Sequence, residues 1–349
     1  MIIRKLKKYL AVALAGVMTL SLVACGSGND KGEETTKASM ETSTEYVAQN
    51  VKVAAMKGPT AIGMVKIMQD NKEGKAANKY GFTIAASADV FTSSLIKGDV
   101  QLAAVPCNVA STLYNKSGGK IKVVGINTLG VLYIMENSYT TSAITSVSDL
   151  KGRTIYLTGK GTTPEYTMRY LLKSAGLDPD KDVKLEFKSE ASEVATAMMI
   201  SGNSTVVGML PQPYVTTVTM KDSMMRVALD VTKEWEKLNG ADNTVVTGVL
   251  VANADYYDKN KVVVDKFMEE YEASVNYVNS NVDAAAQLVE EAQIFKADVA
   301  KKAIPECNIT LIKGNAMKTK VSNYLKVLYD ENPNAIGGKM PDDGFYVTE

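Results

Sequence analysis

The sequence predicts an α/β fold of two lobes, each a mostly parallel sheet flanked by helices, with the chain crossing between them twice. Three observations carry that expectation. Val51-Lys52-Val53-Ala54-Ala55 alternates as a strand, Gly58-Pro59 stops it, and a helix follows that keeps Ile62, Val65, Ile67 and Met68 largely on one side. The same strand, loop and helix return at residues 153–158, 159–163 and 164–172. Strands and helices alternate through both halves, the pattern of a parallel sheet wound with helices. Ligands of open α/β sheets bind where strand carboxyl ends feed helix amino ends, so two such loops suggest two lobes facing one ligand.

Each element has a local reason. Thr60 is read as the N-cap of the first helix, and Thr163 as that of the later one, with Pro164 at its first helical position. Residues 80–86 form a strand with Phe82 and Ile84 on one face. Ser87 or Asp89 caps a helix from Val90 to Lys97, which Gly98 ends. A strand at 100–105, a loop Pro106-Cys107-Asn108, a helix from Val109, and strands at 121–126 and 131–135 follow. The polar stretch 136–146 reads as the first crossing, and 147–152 as a short helix and turn. The second lobe then has strands at 183–187, 205–209 and 226–229, a helix at 191–201, and another opened by Leu210-Pro211-Gln212-Pro213-Tyr214. The long apolar strand 244–252 is the return crossing. Helices at 262–278, 282–292, 298–304 and 315–328 carry apolar residues at three- and four-residue steps and are expected on the first lobe. The first lobe is thus expected over 50–138 plus 250–349, and the second over 139–249.

Composition narrows the function. A chain of 349 residues has mass for two domains with full cores. Its 39 basic and 39 acidic residues cancel, and no basic patch stands out in the body, so nucleic acid is not an expected partner. There is no histidine. That removes the commonest general base and excludes serine–histidine and cysteine–histidine nucleophiles. The expectation is a protein that is not an enzyme.

The amino terminus reads as an export signal. Arg4, Lys5, Lys7 and Lys8 precede an apolar run, Leu10 to Ala24, shorter than the roughly 20 residues that span a bilayer. It ends Leu22-Val23-Ala24-Cys25-Gly26, which resembles the bacterial lipobox, whose cysteine becomes the first mature residue and carries lipid such as palmitate. Residues 1–24 are then the signal peptide. Removing them leaves 35 basic and 39 acidic residues, a net of −4. Residues 25–49 have little to bury and read as a flexible tether to the outer face of a membrane.

Lipobox, tether and twice-crossed lobes together resemble the ABC-transporter substrate-binding proteins, whose fold is called periplasmic-binding-protein-like. Lys57-Gly58-Pro59-Thr60, residues 96–103 (Ile-Lys-Gly-Asp-Val-Gln-Leu-Ala), residues 148–155 (Ser-Asp-Leu-Lys-Gly-Arg-Thr-Ile) and residues 210–214 match the pattern of one group within that family. That group serves sulfonates, nitrate and thiamine-precursor pyrimidines, and it often has an acidic residue where this chain has Gln212. The resemblance covers about residues 50–290. It implies a small-molecule ligand held between lobes that close as a hinge, a membrane permease with its ATPase as partner, and a monomer.

Carried over by loop position, the ligand-binding candidates are Gly58, Pro59, Thr60, Asn108 and Thr128 in the first lobe. The second lobe supplies Lys160, Gly161, Thr162, Thr163 and Gln212, and the crossing strand adds Thr247. Hydroxyls, amides and Lys160 favour an anionic or strongly polar ligand group. Gln212 in place of an acid weakens the case for a cation. Gly159-Lys160-Gly161-Thr162 is not a P-loop, because the glycine spacing is wrong. Tyr133, Tyr156, Tyr166 and Tyr214 are candidates to line the cleft and stack on a flat ligand. Cys107 and Cys307 are either a disulfide or, as expected here, two free buried thiols. No metal spacing and no cofactor motif is visible.

Two other functions stay open at this stage. One is a surface lipoprotein that senses or adheres with the same cleft. The other is an enzyme like the related fungal pyrimidine synthases, but those use pyridoxal phosphate with an essential histidine that this chain lacks.

Overall fold

The structure, a computed structural model, describes residues 46–137, 143–200 and 206–348. The expected signal peptide, Cys25 and nearly all of the tether lie outside these residues.

The compact body begins at Val47. Its first part runs β1 (Asn50–Met56), α1 (Pro59–Ile62), α2 (Val65–Lys72), β2 (Lys79–Ala85), α3 (Asp89–Lys97), β3 (Leu102–Pro106), α4 (Cys107–Ser117) and β4 (Ile121–Leu129). The middle runs β5 (Leu132–Asn137), β6 (Thr154–Leu157), α5 (Thr163–Ser174), β7 (Lys184–Phe187), α6 (Ala191–Ile200), β8 (Val207–Pro211), α7 (Tyr214–Lys221), β9 (Met225–Asp230) and α8 (Val231–Asn239). The chain then returns through β10 (Val246–Asn253), α9 (Ala254–Lys259), α10 (Lys261–Ser280), α11 (Val282–Glu291), α12 (Ala297–Ala303), β11 (Ile309–Ile312) and α13 (Gly314–Glu331).

Two sheets result, in the orders β11-β4-β10-β3-β1-β2 and β7-β6-β8-β5-β9. β1, β2, β3 and β4 run one way in the first, and β6, β7, β8 and β9 one way in the second. The strands that carry the chain across, β5 and β10, are inserted antiparallel to their neighbours. The expected two-lobe α/β architecture is therefore present.

The crossings differ from expectation. β5 pairs with β8 and β9, so residues 132–137 belong to the second sheet rather than to a first lobe ending at 138. The first crossing is Gly130-Val131, not the polar stretch 136–146. An ordinary side chain does not fit at Gly130, where a Cβ would lie 1.8 Å from Thr232 Oγ1, and its carbonyl accepts from Asn308 Nδ2 at 2.5 Å. β10 begins at Val246 in the first sheet, so the return precedes residue 250.

Caps shift by a few residues. Gly58, not Thr60, stands at the N-cap of α1, with φ 136° that glycine tolerates. Thr60 lies inside the helix and donates its hydroxyl to the Met56 carbonyl at 2.7 Å. Thr162 rather than Thr163 caps α5, and Ala88 rather than Ser87 or Asp89 caps α3. Cys107 and Asn108 form the first turn of α4 instead of a loop. The single helix expected after Gly58 breaks at Gly63, where Tyr271 of α10 approaches so closely that a Cβ would lie 2.6 Å from its hydroxyl.

The carboxyl-terminal helices do not stay on the first lobe. α13 packs on β4, β10 and α4 and also on α5 of the second part. Tyr324 packs tilted at 5.1 Å against Trp235 of α8 and shares a 2.9 Å hydrogen bond with Thr167 of α5, and Lys173 pairs with Glu331. One apolar cluster consequently runs through both sheets. Cys107 and Cys307 are free and fully buried, and burial pushes both thiols up. Among the described residues no helix is long and apolar enough to cross a membrane.

Candidate functional site

A cavity of about 200 Å3 lies between the two sheets. Its wall is made by the ends of strands: Met56 of β1, Pro106 of β3, Thr128 of β4, Thr158 after β6 and Pro211 of β8. Leu132 and Thr247, at the starts of the inserted strands β5 and β10, complete it. Because β5 and β10 are reversed, their amino ends meet the carboxyl ends of their neighbours, which is where α/β sheets bind ligands.

Seven sequence candidates line this cavity: Pro59, Thr60, Thr128, Thr162, Thr163, Gln212 and Thr247. Gly58, Asn108, Lys160 and Gly161 do not. Asn108 is buried and ties the lobes together, since its Nδ2 donates to Gly161 O at 3.3 Å and to Ala335 O at 2.9 Å. Gly161 N donates to Glu165 Oε2 at 2.7 Å, which fixes the loop. Lys160 is exposed, with its Nζ 5.8 Å from the centre of the Phe187 ring, so the cation expected for an anionic ligand stands outside the wall. Of the four tyrosines only Tyr214 lines the cavity, its ring set edge-on to Phe295 at 5.1 Å. Tyr133 is buried in the core beneath α6 and α7, and Tyr156 lies under Lys188.

The polar groups of the wall fall into two sets. Thr162 donates to Gly159 O at 2.8 Å, Thr163 to Asn108 Oδ1 at 3.2 Å, and Gln212 Oε1 accepts from Thr216 Oγ1 at 2.8 Å. These hold the loops in shape. Thr128 Oγ1 and Thr247 Oγ1, in contrast, are sealed from solvent and have no protein partner. Asn127, the next residue, is fully buried with its amide beside the Tyr271 phenol. Periodicity hides Asn127, because a strand residue next to Thr128 is expected on the opposite face. Register shifts between β4 and β10 around Gly248 break that rule. A Cβ on Gly248 would lie 2.5 Å from Asn127 Oδ1, 3.0 Å from Thr60 Cγ2 and 3.4 Å from Thr128 Cβ, so Asn127 and Gly248 pack directly behind the cavity floor that Thr60 and Thr128 form.

The charges are few and lie at the rim. Lys57 is exposed with its Nζ 5.8 Å from the Phe295 ring centre, and Asp89 and Glu190 are exposed carboxylates of the same wall. Burial raises the Tyr214 phenol, so it stays a neutral donor. Among the described residues no group of three or more acidic or cysteine side chains gathers as a metal site would need.

Residues 124–285 match the protein family described as NMT1/THI5 like. No curated protein matches the chain. An ABC transporter protein from Parabacteroides distasonis superposes with TM-score 0.69 at 25% identity, over 85% of this chain and 98% of that one. The periplasmic aliphatic sulphonate binding protein of Escherichia coli gives 0.68 at 18% identity, over 85% and 92%. The alkanesulfonate-binding protein of Xanthomonas axonopodis pv. citri, solved bound to MOPS, gives 0.63 at 14%, over 84% and 94%. The resemblance to ABC-transporter substrate-binding proteins read from the sequence is thus borne out, and the fold is the two-lobe one of periplasmic binding proteins.

Proposed function

We propose, from that fold and resemblance, that this chain is the solute-binding subunit of an ABC importer and not itself an enzyme. It captures a small polar organic molecule in the cleft and delivers it to a membrane permease with its ATPase. Lipid on Cys25 and the tether hold a monomeric body at the extracytoplasmic face. One observation carries the reading: a cavity walled by both sheets at their ligand-binding ends, with buried polar groups that the protein leaves unpaired. A ligand touching both walls favours the closed arrangement by population shift.

The test is a thermal-shift panel on the full chain with sulfonates, nitrate, pyrimidines, thiamine, riboflavin and amino acids. A ligand that binds only the folded protein raises the melting temperature by mass action. Uptake of the hit is then compared in cells with and without the gene. Lost uptake supports the importer; unchanged uptake with retained binding overturns it in favour of a sensing lipoprotein.

A further inference from the structure

We infer that the cleft opens between α7 and α12, where the rings of Tyr214 and Phe295 form the latch that holds it shut. The inference rests on the solute-binding reading and adds to it the route by which a ligand enters and leaves. Tyr214 opens α7 in the second lobe, and Phe295 lies in the turn between α11 and α12 of the first. Their rings meet edge-on across the cleft, 5.1 Å apart at 77°. α12 packs against α7 beside them. Among the described residues, no hydrogen bond or ion pair joins α7 to residues 292–303. The α13 side is held differently. There Asn108 bonds Gly161 and Thr163, Tyr324 bonds Thr167, and Lys173 pairs with Glu331. Polar bonds and a buried ring cluster close that side, whereas two half-buried rings and helix packing close this one, so this side parts at lower cost.

The turn that carries Phe295 is pinned to its own lobe on both flanks. Gln293 takes a left-handed φ of 57°, uncommon for a residue with a side chain. Ile294 is buried, and its N–H donates to Val289 O at 3.0 Å. On the other flank Glu290 of α11 accepts from Ala297 N at 3.0 Å and from Lys296 Nζ at 2.8 Å. Phe295, between the pins, reaches across. Lys57 Nζ of the same lobe sits 5.8 Å from the centre of its ring, so the ring keeps a partner when Tyr214 leaves. Tyr214 also lines the cavity, so a ligand against it adds contacts that only the closed arrangement offers and weights the latch toward shut. Thr128 lies on the same wall and is fully buried, so its exposure to solvent reports the opening of the cleft.

The experiment is thiol labelling of the full chain carrying Cys25→Ser and Thr128→Cys, without any ligand. N-ethylmaleimide is the probe, and peptide mass spectrometry reads each site. Cys107, fully buried beside Asn108 on the α13 side, serves as the internal reference for opening there. With the latch intact the introduced thiol should react slowly. Phe295→Ala and Tyr214→Ala should each speed its labelling about tenfold, the scale of a lost ring pair, while Cys107 stays protected. The double variant should match either single one, because the pair is lost only once. Phe295→Leu, which keeps apolar packing in the turn, should fall between. Equal acceleration at Cys107 and at the introduced thiol would mean that the rings merely stabilise the fold, and would overturn the inference. Unchanged labelling in both alanine variants, or fast labelling with the latch intact, would overturn it as well. Because no ligand is used, such a failure leaves the solute-binding reading to the thermal-shift panel and the uptake comparison.

Discussion

At the cleft, Thr128 and Thr247 hold hydroxyls that nothing in the protein answers; along α13, Thr167 and Tyr324 answer each other at 2.9 Å. Both are places where the two sheets meet. The cleft is lined by strand ends and threonines, with Gly248 packed closely behind Thr60 and Thr128. The α13 side is a closed aromatic cluster of tilted rings, Tyr170 on Trp235 at 4.8 Å and Trp235 on Tyr324 at 5.1 Å, flanked by Lys173–Glu331. Asn108 adds a polar tie from α4 to the Gly161 loop and to Thr163. The difference teaches where motion is allowed. The α13 side also holds an unanswered donor, Trp235 Nε1, but rings enclose it, whereas the two threonine hydroxyls belong to residues that border a cavity. Under the proposed function the first side serves as pivot and the second as the opening.

The largest expected effect comes from breaking the pivot. Trp235 is fully buried between the second sheet's helices and α13. Trp235→Ala should cost about 3–5 kcal/mol, read as a lower denaturant midpoint by circular dichroism. A loss under about 1 kcal/mol, the scale of an ordinary surface substitution, would mean that α13 does not bind the halves together. Any ligand bound by the wild type should still bind the folded fraction, because Trp235 does not touch the cleft.

The converse change attacks the cleft and spares the pivot. Gly248→Ala places a methyl 2.5 Å from Asn127 Oδ1 and 3.0 Å from Thr60 Cγ2, so the floor must shift. Overpacking of this kind costs about 1–3 kcal/mol, less than the Trp235 change, yet ligand-induced stabilisation should vanish. Retained binding in Gly248→Ala would separate the floor from the ligand site. Binding in the wild type should also be flat between roughly pH 6 and pH 8, since no histidine is present and burial raises both thiols.

The two regions were not equally legible in the sequence. Alternating strands and helices gave the sheets, because period and loop glycines are local properties: β1 and α3 fall within a residue or so of expectation. The cleft loops followed from the same logic, which placed Thr60, Thr162 and Gln212 on the wall. The pivot was invisible. Trp235 sits in α8, a helix with no glycine or proline at its start, and its meeting with Tyr324 joins residues distant in sequence. Asn127 was hidden by a β-bulge that alternation does not foresee. Lys160 misled for the opposite reason: a glycine-flanked lysine has the chemistry of an anion site, but the loop turns it outward over Phe187.

The smallest effect belongs to a place that touches neither region and so calibrates both. Asp149 Oδ2 accepts from Thr145 N and Ser146 N, each at 2.9 Å, and from both hydroxyls at 3.0 Å. These donors, the backbone N–H groups first, hold its carboxyl down at about 2 against an ordinary 3.8. A depressed carboxylate contributes stability above its unfolded pKa and loses it as pH falls through the folded one. The melting-temperature gap between wild type and Asp149→Asn should therefore be constant from neutral pH to about 4, then close toward about 2. Ligand affinity should match wild type throughout the upper range. If Asp149→Asn instead weakened binding as Gly248→Ala is expected to, the effect of Gly248 could not be assigned to the floor, and the contrast between an open cleft and a fixed pivot would lose its main support.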